Sequence, residues 1–139
     1  MLGEEYPGRE AMMGAWGAGS FENDESRDWL GNMRERRGLD WLEIINTLIA
    51  GSNRDTSDEV RAIAAAEIVS AAAGHPVGSI PAEAVELANQ LGTPTSEVVL
   101  AARSTVEQLL QDSELKELFE SDEEWADAML DLARRLAGR

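Results

Sequence analysis

Asn23, Asp24, Glu25 and Asp28 gather side-chain oxygens in one short stretch, with Asp24 and Asp28 one helical turn apart. Oxygens so grouped are the hard ligands that calcium or magnesium takes. The same residue types also suit the first turn of a helix, where exposed amides and the positive end of the dipole favour them. There is no EF-hand spacing, so capping explains these residues without a metal. Just upstream, Trp16, Phe21 and Trp29 are punctuated by Gly14, Gly17 and Gly19. Such aromatics could line a pocket to which the backbone comes close, or they could plug a core. The glycine spacing is neither a phosphate loop nor a dinucleotide fingerprint, because no strand precedes it and no lysine follows. His75 is the only histidine and sits in a glycine and proline turn, and there is no cysteine. That inventory argues against a conventional acyl-transfer triad and removes thiolate zinc sites. No catalytic residue, metal site or cofactor is assigned.

A second concentration lies between Glu107 and Asp131, where ten acids face Lys116 alone. Within it Glu114, Leu115, Glu117, Leu118, Phe119 and Glu120 interleave charge with apolar bulk. Apolar anchors rimmed by charge are how interfaces are commonly built, so this stretch is a candidate docking face for a basic protein. Its plain alternative is the solvated face of a helix. Overall, 27 acids against 12 bases give a formal net charge of −15, which opposes nucleic-acid binding. Eleven of the bases are arginine, a codon bias that suggests a GC-rich bacterial genome or a salt-adapted organism.

The elements that must position these residues read as helices. A first begins near Asp24, with Trp29, Leu30 and Met33 as its stripe, and stops at Gly38 after an arginine-rich end. A second follows Asp40, whose pairing with Glu43 resembles a capping box. Its Trp41, Leu42, Ile44, Ile45, Leu48 and Ile49 predict the most deeply buried helix of the set. Thr56 and Glu59 open a third through Ala73, with Val60, Ile63, Ala64, Ile68 and Ala71 inward. Pro81 takes the first position of a fourth, ending at Leu91. Thr93 caps a fifth with Pro94 in its first slot, Ser113 caps a brief sixth, and Ser121 with Glu124 opens the last, carrying Trp125, Met129, Leu132 and Leu136. No alternating stretch competes as a strand. The prediction is an all-α single-domain bundle of six or seven short helices over residues 13–139, with the glycine and aromatic segment packed on it. Residues 1–12 lack periodicity and read as a flexible extension, with Met13 an alternative start.

With 43% hydrophobic residues, the 139-residue chain can bury a core without staples. Lack of cysteine, of a secretory signal and of a long apolar run points to the cytoplasm and away from membranes.

The stretch Gly14-Ala15-Trp16-Gly17-x-Gly19-x-Phe21-x-Asn23-Asp24, continuing to Asp28-Trp29, resembles the opening of a bacterial family known only as domain of unknown function 4259. The alanine-rich run from Ala62 to Val69, and Ser113 to Leu118 followed by Trp125, are similar as well. The resemblance spans roughly residues 13–137 and implies no activity, so it transfers no catalytic residue. Arg34-Glu35-Arg36-Arg37 is more basic than the family pattern.

Two functions are expected from this. The first is a small acidic cytoplasmic interaction module without catalysis, of immunity or regulatory type, with a basic protein as partner. The second is a ligand- or metal-binding protein, or an enzyme, working through Trp16, Gly17, Gly19, Phe21, Asn23, Asp24, Asp28 and Trp29.

Overall fold

The computed structural model describes residue 17 and residues 19–138. Trp16 and the expected extension over residues 1–12 lie outside the described residues. Among the described residues seven α-helices follow one another: α1 (Asp24–Glu35), α2 (Trp41–Ala50), α3 (Thr56–Ala72), α4 (Ala82–Leu91), α5 (Ser96–Gln111), α6 (Glu114–Leu118) and α7 (Glu123–Leu136). A 3-10 turn, Gly51–Asn53, joins α2 to α3, and no strand forms among the described residues. The all-α architecture expected from the apolar rhythm is present. No helix among the described residues is long and apolar enough to cross a membrane.

Capping side chains start most of these helices, often one residue away from the expected position. Asn23 Oδ1 accepts the Ser26 amide at 2.8 Å to start α1. Ser113 Oγ accepts that of Lys116 at 2.9 Å to start α6. For α3 the acceptor is Asp55 rather than Thr56, and for α7 it is Asp122 rather than Ser121. In both cases a carboxylate displaces a neighbouring hydroxyl, as expected of the stronger acceptor beside a positive helix end. Thr95, not Thr93, caps α5, so buried Pro94 precedes the helix instead of opening it. Pro81 likewise stands at the cap of α4 rather than in its first turn.

The centre of the bundle is α3, which touches each of the other six helices described. Ala62, Ala64, Ala65, Ala66, Ile68 and Val69 are wholly inaccessible. Alanine makes this possible, because a helix with almost no side-chain bulk admits close neighbours on all sides. Gly51 extends the same logic, since a Cβ there would lie 2.7 Å from the Ala62 Cβ. The expectation that α2 is the most buried helix is overturned. Only Ile44 and Leu48 of α2 are buried, while Leu42 and Ile49 are 62% and 63% exposed.

A helix buried all round carries its polar residues inside with it. Glu59, Glu67 and Ser70 of α3 are buried, and their partners determine where the neighbouring elements sit.

Candidate functional site

The opening motif forms a tight turn around a carboxylate that no residue-type argument singled out. The Gly19 amide donates to Glu22 Oε1 at 2.8 Å, and the Glu22 amide donates back to the Gly19 carbonyl at 3.0 Å. A Cβ on Gly17 would lie 2.6 Å from the Glu22 carboxylate carbon, and one on Gly19 would overlap Oε1. The chain thus folds closely over the Glu22 side chain at both glycines. Phe21 is buried and its carbonyl accepts Arg27 Nε at 2.9 Å. Asn23 is buried as the cap of α1, and Trp29 lies in the core nearly two turns further on. Asp24 and Asp28 are exposed on the outside of α1 and do not join this turn.

Ser20 latches the turn to the centre of the molecule. Its Oγ donates to Glu67 Oε2 at 2.8 Å. Arg135 of α7 meets the same carboxylate with both guanidinium nitrogens, at 2.9 and 3.0 Å. The Arg135 Nε donates to Asp131 at 2.7 Å, and its Nη1 reaches the His75 carbonyl at 3.2 Å. The Glu67 and Arg135 side chains keep only 3% and 11% of their exposure, so this ion pair is interior. Burial opposes the Arg135 charge, yet the hydrogen bonds it donates to Glu67 and Asp131, with their negative charges, outweigh it and raise the pKa. His75, read as a loop histidine, is exposed and contributes its backbone.

Two small cavities flank the turn. One, about 30 Å³, is lined by Gly17, Gly19, Asn23, Ile63, Phe119 and Trp125, which is room for about one water. The other, about 70 Å³, lies against Ser20, Glu22, Arg27, Glu67, Asp131 and Arg135. Among the described residues no group of three or more His, Asp or Glu is placed to hold a metal ion.

The acidic stretch is arranged otherwise than its sequence suggests. Leu115 and Phe119 are buried, Phe119 stacking on Trp125 with ring centres 5.7 Å apart, and Leu118 is half-buried. The reason is Glu59, inaccessible on α3, whose carboxylate accepts the Glu114 and Leu115 amides at 3.1 and 2.8 Å. It caps α6 from a different helix and turns the leucine inward. Burial pushes the Glu59 pKa up, against the lowering effect of those two amides. Glu114 and Glu117, with Asp112, converge on Arg54 at 2.8, 2.5 and 2.5 Å. Hydrogen bonds to Asp112 and Glu114 raise the Arg54 pKa. Glu120 is exposed.

Apolar surface instead emerges on α2. Leu42 and Ile49 stand in solvent with half-buried Ile45 between them. Beside Ile49 a groove of about 230 Å³ between α2 and α5 is lined by Leu48, Ile49, Gly51, Ser52, Thr105 and Gln108. Sequence periodicity had counted Leu42 and Ile49 as core. The available signal was that α2 carries six large apolar residues, more than one buried face of a ten-residue helix needs.

A family model described as a domain of unknown function (DUF4259) matches residues 14–130. No curated protein and no solved structure matches the chain.

Proposed function

The chain belongs to the DUF4259 family, and for it we propose a role as a small acidic protein-interaction module of the cytoplasm that docks a basic protein through the outer face of α2. One observation carries this reading: two large aliphatic side chains, Leu42 and Ile49, are 62% and 63% exposed about two turns apart on one helix, and Ile49 lines an open groove. Single exposed aliphatics are ordinary, but two on one helix face, the second of them at the lip of a groove, are a mark of interaction surface. The net charge of −15 steers cationic partners towards the molecule, and the absence of cysteine suits a reducing compartment. A regulatory or immunity role, in which a basic protein is masked, fits the same chemistry.

The reading of the Gly17–Trp29 segment as a ligand site has less support. Its Asn23 carboxamide is engaged in capping, Asp24 and Asp28 point away from the cavities, and the cavity beside its glycines has room for about one water.

A photo-crosslinking residue placed at Ile49, in the native host, tests the proposal. A discrete heavier adduct is expected there and not from the same residue at exposed Glu83 on α4. Equal adducts at both positions, or none at position 49, would remove the docking role.

A further inference from the structure

The occupant of the α2 face can be specified further, resting on the docking role proposed above. We infer that the α2–α5 groove takes an amphipathic helix of the partner, apolar along the stripe and basic at the end lying over Asp112 and Glu117.

The stripe is itself helical. Leu42, Ile45 and Ile49 recur at steps of three and four, so the row is about 10 Å long at 1.5 Å per residue. A surface of that period is best covered by another helix presenting apolar residues at i, i+3 or i+4, and i+7. The groove alongside gives one such side chain a seat, with Ser52, Thr105 and Gln108 as its polar edge. Charge is nearly absent from the stripe itself. The single charged residue of α2, Glu43, is held by Arg36 at 2.8 Å.

Charge returns at one end of the groove. Asp112 follows Gln108 by one turn along α5, and Arg54 follows Ser52 by two residues. There three carboxylates, Asp112, Glu114 and Glu117, surround one guanidinium, an excess of two negative charges over that cation. The Asp112 and Glu117 side chains are 76% and 67% exposed, open to a second cation. A helix with arginine or lysine at that end completes the pairing. A second copy of this chain would instead bring a like acidic cluster and another −15 charges, so it fits less well.

The test uses the full chain and synthetic peptide probes. One probe has leucines at steps of three and four with arginines at one end. A second has the same composition with the leucine stripe scrambled, and a third keeps the stripe but ends in glutamates. The first should bind at least about tenfold more tightly than either control, a margin typical of a buried apolar anchor. The Leu42→Glu, Ile49→Glu double variant should lose that margin, and Asp112→Asn with Glu117→Gln should flatten its salt dependence. Equal binding of all three probes, or no effect of the α2 variants, would overturn the inference. If sedimentation showed a dimer of the chain dissolved by the α2 variants, the docking face would stand but its occupant would be a second copy. If no probe bound, no dimer formed and no crosslink arose at position 49, the docking role itself would fall.

Discussion

Two regions of this molecule use their residues in opposite senses. Around α3, the groups that look chemical, Glu59, Glu67, Ser20, Arg135 and the carboxylate of Glu22, are turned inward and matched to partners. On α2, residues that look like core, Leu42 and Ile49, are turned outward and stand 62% and 63% exposed. Each polar group of the first region has a partner that explains its presence, so the fold accounts for it. The aliphatics of the second have no such account, and an unaccounted cost in solvent exposure is the stronger pointer to function.

The contrast can be broken most severely at the interior ion pair. Glu67→Ala leaves the Arg135 guanidinium, 11% exposed, with Asp131 as its one remaining carboxylate partner, so a loss towards the lower end of about 3–5 kcal/mol in unfolding free energy is expected from urea titration. A paired replacement, Glu67→Leu with Arg135→Met, should recover most of that loss, because an interior pair and apolar side chains of similar size are nearly equivalent. Failure of Glu67→Ala to destabilise would mean that the pair is not interior in solution.

Next in size, Gly51→Ala brings a methyl to 2.7 Å from the Ala62 Cβ, where helix backbone holds both sides. A loss of about 1–3 kcal/mol is expected in the same titration. Gly19→Ala should cost less, about 1 kcal/mol, since Glu22 is flexible and can swing aside with the loss of one hydrogen bond.

Glu59 sharpens the comparison through pH. Its folded pKa is raised above the ordinary value of 4.5 by burial, so the folded state holds its proton more tightly than the unfolded state. Its contribution to stability is therefore fully present below about pH 4.5 and declines as pH rises through the raised folded pKa. Wild-type stability measured relative to Glu59→Gln should fall across that window. A difference that rises with pH would contradict the burial.

The smallest stability effect belongs to α2. Leu42→Glu with Ile49→Glu should change unfolding free energy by no more than about 0.5 kcal/mol per site, as for ordinary surface positions, while abolishing partner binding. A large destabilisation would return both residues to the core.

Local signals made much of the frame legible. Asn23, Asp40 and Ser113 cap helices where polar residues precede apolar rhythm, and the stripe of Trp29, Leu30 and Met33 faces inward. The boundaries slipped by one or two residues where several acceptors stood together, as at Asp55 beside Thr56 and Asp122 beside Ser121. What could not be read was longer in range. Periodicity assigns one buried face to α3, whereas its alanines allow burial all round, and only tertiary packing reveals that. Glu67 meets Arg135 across 68 residues, and Glu59 meets Leu115 across 56. Neither pairing leaves a local trace beyond an acid set among alanines and aliphatics. Because Glu59 orients α6, the interleaved Leu115 and Phe119 turn inward, and exposed aliphatic side chains stand on α2 instead.

Amide hydrogen exchange of the chain, with and without its crosslinked partner bound, compares the two regions in a single measurement. The account predicts slowed exchange in α2 and the neighbouring turns of α5, with the Gly19–Asn23 turn unchanged. Protection confined to residues 19–28, with α2 exchanging as in the free chain, would contradict it.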